Sequence, residues 1–220
     1  MDATHRRRTS VSESLSDRAY QILRDRLIML DIAPGEPINE AQLVLELNIG
    51  RTPLREALKR LEVDHLVHSY PRRGTFATRV DITELAAITE MRLALEPLAA
   101  DRAAALGGGS VRHEIEQTLH TITAFTGDET RRNLMENDLA VHRLIYQAAA
   151  NHHLEETLIR LDNLATRIWC LTLDRLPSID AHIAEHQALL EAVLNQDPET
   201  ASTLARDHIA SFETSVRAVL

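Results

Sequence analysis

From Asp81 to the C-terminus, long stretches of helical apolar periodicity are interrupted only by very short breaks, namely GGGS, GD, NHH, LPS and NQDP. Each break is built from Gly, Asn, Asp or Pro, the residues that punctuate helices. The spacing predicts helices at about 82–106, 111–126, 129–150, 153–174, 180–195 and 198–219. Connections this short leave consecutive helices antiparallel, so residues 81–220 read as an all-α antiparallel bundle. Composition agrees: seven of 220 residues are aromatic, which disfavours sheets. Cys170 is the single cysteine, which leaves no internal disulfide and no cysteine-based zinc site and fits a reducing cytoplasm. No apolar run approaches the roughly 18 residues of a membrane span, so no membrane partner is expected. The opening MDATHRRRTSVSES is charged and lacks an apolar core, so residues 1–13 read as a flexible tail and not as a secretion signal.

The first eighty residues follow a different plan. Ser14 to Asp31 is amphipathic, with Ala19, Ile22, Leu23, Leu27 and Leu30 on one face. Asn39 is placed to cap a short helix ending near Leu47, NIG makes a turn, and a third helix runs from about Arg51 to Asp64 with Pro53 in its first turn, where a missing amide proton costs nothing. From Leu66 to Val80 the chain turns to Val, Thr, Tyr and Phe around a PRRG turn, a hairpin signal. Three helices followed by a two-stranded ribbon make a winged helix-turn-helix over 14–80. Residues 1–79 carry 13 Lys/Arg against 11 Asp/Glu, whereas residues 80–220 carry 11 against 22, so only the front suits a polyanion.

In GRTPLREALKRLE, Leu54, Ala57, Leu58 and Leu61 form the packing stripe, and Arg51, Arg55 and Lys59 lie together opposite, with Thr52 nearby. Arginines near a helix N-terminus match the paired acceptors of guanine in the major groove. Lys59 and Arg60 suit phosphate contacts, and Arg72, Arg73 and Gly74 at the hairpin tip suit the backbone or the adjacent minor groove. The plainer alternative is a solvated basic face. RTPLREALKRLEVDHLV followed by RRGTF resembles the DNA-binding domain of the GntR family of bacterial transcription regulators. By that resemblance Arg51, Thr52, Arg55 and Gly74 match operator-contacting positions. Gly50 and Ala41 depart from it, standing where the family usually has Ser or Thr and often has a DNA-contacting arginine.

The bundle holds polar residues where apolar ones belong. Asp138 and His142 share one face at i, i+4, on a stripe with Met135, Leu139 and Ile145. His186 sits among Ile183, Leu189, Leu190 and Val193, and His208 among Leu204, Ile209, Phe212 and Val216. The turn NQDP centres near residue 197, with His186 and His208 each 11 residues from it, which sets the two rings level across an antiparallel hairpin. A buried carboxylate is costly unless it is satisfied. Three imidazoles and one carboxylate suit one divalent transition metal per chain: Zn²⁺ first, or Ni²⁺, Co²⁺ or Mn²⁺. His182, one turn before His186, and His152-His153 are assigned structural or surface roles; each inward histidine alone also fits a hydrogen-bonded core residue.

Residues 82–215 resemble the FCD ligand-binding domain of the FadR subfamily of GntR regulators, whose metal-binding branch carries an Asp-xxx-His pair, then a His, then a His in the last helix. Asp138, His142, His186 and His208 match those positions. The resemblance implies a small carboxylate effector held at the metal. It also implies that Arg92, in EMRLALEP, faces the effector cavity, the alternative being a salt bridge to Glu96. Asn163 and Arg167 are further cavity candidates because their helix follows that of Asp138. The chain thus reads as a ligand-responsive repressor and not an enzyme, with no catalytic residues, binding palindromic double-stranded operator DNA as a homodimer. The second reading is a metalloenzyme whose ion activates water, with an accessory nucleic-acid-binding module; it lacks an evident general base.

Overall fold

A computed structural model describes residues 14–176 and 180–220; the expected tail over residues 1–13 lies outside the described residues. The chain divides into two compact units, the first holding residues up to 27 with 31–78, the second holding 28–30 with everything from Arg79 onward.

In the first unit, α1 (Leu15–Ile28) fully buries Ala19, Leu23 and Leu27. Helix α2 (Glu40–Leu47) is capped by Asn39, whose side-chain oxygen accepts from the amide of Gln42 at 3.1 Å. It ends on Asn48 at φ +51, a left-handed stop that Asn tolerates better than most residues. Helix α3 (Arg51–Val63) turns Leu54, Ala57, Leu58 and Leu61 inward. It is clamped to α1 by polar contacts: the Tyr20 hydroxyl donates to Asp64 at 2.7 Å, and Arg60 both covers the Tyr20 ring and donates to Asp17 at 2.7 Å. Strands β1 (Val67–Tyr70) and β2 (Gly74–Ala77) pair antiparallel, from Val67↔Ala77 to Tyr70↔Gly74, and make the expected wing. Its tip requires left-handed backbone at Arg72 (φ +63) and Gly74 (φ +96). A Cβ on Gly74 would meet nothing within 4 Å, so the need for glycine there is conformational and not steric.

The second unit is the bundle: α4 (Leu85–Ala105), α5 (Arg112–Thr123), α6 (Arg131–Ala148), α7 (His152–Thr172), α8 (Asp180–Leu194) and α9 (Pro198–Arg217). All six expected helices are present within a few residues of the predicted ends. The largest differences are at the edges, where Ile82–Glu84 and Leu173–Arg175 wind as tighter 3₁₀ turns. Helix α4 packs most extensively on α9. Small residues on both, Ala99, Ala100, Ala103 and Ala104 against Ala201 and Ala205, are buried in the core and permit close approach. The α8–α9 turn is closed by Gln196 at φ +57 and by Asp197, which accepts the amide of Thr200. That hairpin, together with α6 and α7, positions the inward polar residues.

Candidate metal centre and candidate DNA-contacting face

Helix α6 turns Asp138 and His142 inward one turn apart, α8 contributes His186, and α9 contributes His208; none is more than 3 % exposed. Their ligating atoms converge. His208 Nε2 lies 3.1 Å from His186 Nε2 and 3.3 Å from His142 Nε2. Asp138 Oδ1 lies 3.6 Å from His186 Nε2 and 3.8 Å from His142 Nε2. Four donors on arms of about 2.1 Å around a tetrahedral ion stand roughly 3.4 Å apart, and these four distances bracket that value.

Hydrogen bonding alone does not account for this packing. An imidazole Nε2 has one proton to give or one lone pair to offer, yet that of His208 faces two other Nε2 atoms, and Asp138 Oδ1 is buried with no hydrogen-bond partner. A cation at the common point satisfies all four atoms, so the residues present fit a metal. The outer nitrogens are oriented for the same purpose. His142 Nδ1 faces Glu96 Oε2 at 3.2 Å and the Tyr146 hydroxyl at 3.3 Å, while His208 Nδ1 faces Glu185 Oε2 at 2.8 Å. A carboxylate behind an imidazole keeps the proton on Nδ1 and leaves Nε2 free to coordinate.

At His186 and His208 the electrostatics agree with that division. Burial raises the Asp138 carboxyl, but the nearby His182 ring and the positive charge of His142 outweigh it and hold the group well below the usual carboxylate range. Burial pushes His186 down to about 3 and His208 well below its ordinary value, which favours the neutral form a ligand needs. Burial also lowers His142, but Glu96 and Asp162 outweigh it and bring it up to about 9, so this ring, unlike His186 and His208, must release a proton before its Nε2 can coordinate. Burial raises Glu96, and Arg92 with His142 overcome this, leaving it at about 2.

Beside the centre lies a small cavity lined by Arg92, Asp162, Thr166, Trp169, His182 and Phe212 together with Asp138, His142 and His208. It leaves no room for the centre of a water molecule, so it fits a bare ion but, in this arrangement, no organic acid. Arg92 lines it, and its guanidinium bonds Glu96 at 2.5 Å and Asp162 at 3.3 Å, so the salt-bridge alternative for this residue is present. Asn163 and Arg167 are buried but are not brought to the cavity wall. The α7 residues that reach it are Asp162, Thr166 and Trp169, at i, i+4 and i+7, about 100° around the helix from the pair chosen on sequence.

A fourth histidine, His182, assigned on sequence to a structural or surface role, also reaches the centre. Asp138, His182, His186 and His208 each bring a ligand atom within 4.8 Å of the others, a group that does not include His142, and His182 Nε2 is 3.4 Å from Asp138 Oδ1. The signal was present: His182 and His186 repeat on α8 the i, i+4 spacing of Asp138 and His142 on α6. Glu96, Asp162 and Glu185 carried no such signal, because their role depends on contacts between helices.

In the first unit Arg51, Thr52, Arg55 and Lys59 are all exposed on the outer face of α3, and Arg72, Arg73 and Gly74 are exposed at the wing tip. Arg55 Nε donates to Glu40 Oε2 at 3.0 Å, which fixes one edge of its guanidinium. Arg60 is different: its bonds to Asp17 and its place over Tyr20 commit it to holding α1, so the sequence expectation of a phosphate contact is not where the structure places it.

A helix-turn-helix with a wing, followed by an all-helical domain, is the arrangement of a DNA-binding transcription regulator. The comparisons specify it further. A model of the FCD domain matches residues 87–211, and one of the bacterial regulatory proteins of the gntR family matches residues 15–77. The chain belongs to the GntR family, in the group that carries an FCD domain. It is 24 % identical to the HTH-type transcriptional repressor RspR of Escherichia coli K12 over 94 % of this chain and 91 % of that protein. It is 29 % identical to the HTH-type transcriptional repressor GlaR of the same organism, covering 86 % and 90 %. The fold of E. coli McbR/YncC is similar, with a TM-score of 0.75, 19 % identity and coverage of 93 % and 98 %.

Proposed function

We propose that this regulator is a cytoplasmic repressor that binds palindromic operator DNA as a homodimer, and that a small carboxylate effector acts through one divalent transition metal in the bundle. The observation that carries the metal assignment is the convergence of Asp138, His142, His186 and His208 at edges of 3.1–3.8 Å, with buried atoms that no protein partner satisfies. A bound ion supplies positive charge against Asp138 and open positions for a carboxylate oxygen. Zn²⁺ fits the three-nitrogen, one-oxygen set best, with Ni²⁺, Co²⁺ and Mn²⁺ as substitutes.

The protein's own residues do the rest. Glu96 and Glu185 hold two rings in their coordinating tautomer. Arg92 lies at the cavity, but Glu96 and Asp162 offset its charge, so the ion and not Arg92 is the main attraction for an acid. The two relatives named as repressors support the sign of regulation. Because the cavity is too small for an organic acid in this arrangement, effector binding requires it to open, and that difference between two states is what coupling to DNA affinity needs. Palindromic recognition follows from pairing two short half-sites through Arg51, Thr52, Arg55, Lys59 and the wing.

Chain purified without chelator should contain close to one metal per chain by elemental analysis, falling sharply in His186→Ala and in His208→Ala. If both variants retain it, the cluster is not a metal centre.

A further inference from the structure

We propose that His182 is a fifth protein donor at this centre, occupying the coordination position that an effector carboxylate must take over. This rests on the metal assignment above and extends it to a residue outside the four-residue set. Four observations carry it.

First, the distance from His182 Nε2 to Asp138 Oδ1, 3.4 Å, is long for an N–H···O hydrogen bond and equals the edge expected between two ligands of one ion. Second, the ring is held in place. It stacks on His208 with centroids 3.9 Å apart and meets Trp169 edge-on at 4.6 Å. Third, Glu185, whose Oε2 takes the outer nitrogen of His208 at 2.8 Å, also lies 3.7 Å from His182 Nδ1, so one carboxylate backs both rings. Fourth, His182 is the outermost of the group: its side chain is 12 % exposed, against 0–3 % for His142, His186, His208 and Asp138. It lines the cavity beside Trp169 and Phe212, with ring centroids 4.6 and 6.0 Å away.

Exchange of His182 for an effector is then a ligand substitution. The bond from the ion to Nε2 breaks, a bond to a carboxylate oxygen forms, and the imidazole leaves neutral, so no proton has to move. The rival arrangement is an imidazolium that only pairs with Asp138.

The full chain loaded with Co²⁺ separates the two. Each coordinated imidazole gives a set of hyperfine-shifted proton resonances; wild type should show four sets, and His182→Gln three, at the same metal content. Acetate, followed by the visible Co²⁺ spectrum, should bind roughly tenfold more tightly to His182→Gln, because no ring has to be displaced. The same number of sets in wild type and His182→Gln with the ion bound, or equal acetate affinity in the two proteins, overturns the role of His182 while leaving the metal assignment intact. Wild type that takes up no Co²⁺ overturns both.

Discussion

Tyr20 shows how one side chain sets the stability of a recognition element. Its hydroxyl donates to Asp64 at the end of α3, and Arg60 covers its ring, so the phenol joins α1 to α3 alongside the Arg60–Asp17 ion pair. Burial, and then the negative charge of Asp64, push the phenol from 10.0 up to about 12. The folded state therefore holds this proton more tightly than the unfolded chain. The corresponding stability is fully present below pH 10 and is lost as the pH rises through about 12. Denaturant melts of the full chain between pH 9 and pH 12, values chosen to span that window, should show a decline that Tyr20→Phe reduces. At pH 8 the same variant should cost about 1 kcal/mol, the usual worth of one hydrogen bond. Equal pH profiles for the two proteins would remove the phenol from this account. At this scale the sequence was informative only where spacing along one helix, or symmetry about one turn, announced a partner. Asp138 with His142, and His186 with His208, were legible for that reason. Glu96, Asp162 and Glu185 were not, since an acidic residue on a helix looks like ordinary surface until another helix packs beside it. Asn163 and Arg167 were the right helix read on the wrong strip.

Helix α3 is the element on which the proposed DNA recognition turns. It starts on Gly50, which offers no side-chain cap, and exposes Arg51, Thr52, Arg55 and Lys59 while its opposite face is closed by Leu54, Ala57, Leu58 and Leu61. Glu40, in the first turn of α2, holds Arg55 by Nε, leaving the two terminal nitrogens as the edge available to a base. On duplexes recovered by selection from random sequence, Arg51→Ala or Arg55→Ala should cost about 1–3 kcal/mol. Glu40→Gln should lose less, because it loosens the arginine without deleting it. Unchanged binding in both arginine variants would move recognition off this helix. Elements were the most legible level of the structure: every helix and the hairpin were visible in periodicity and punctuation, because an amphipathic face and a Gly, Asn or Asp stop are local properties. Their ends were less so. The 3₁₀ turns at Ile82–Glu84 and Leu173–Arg175 were read as continuations of the α-helices they adjoin, since both helix types share most of their sequence preferences.

The whole molecule is a net −9, yet its first 79 residues are a net +2 and the remainder a net −11. An interface confined to the first unit makes operator binding depend on a few phosphate contacts against an unfavourable overall charge. The logarithm of affinity should fall linearly with the logarithm of salt, and Lys59→Ala should reduce the slope by about one. A flat dependence would argue against a phosphate-dominated interface. The donor cluster has its own large-scale dependence, on chain register. His186 and His208 are level because the same number of residues separates each from the α8–α9 turn. A residue inserted at Gln196 lengthens both arms equally and keeps the rings face to face. One inserted at Leu190 rotates His182 and His186 by about 100° relative to the core that anchors the rest of α8. The hairpin is thus insensitive to length at its tip and intolerant of it along its shafts, so natural variation in this sensor should accumulate at the bend while the spacing on either side stays fixed.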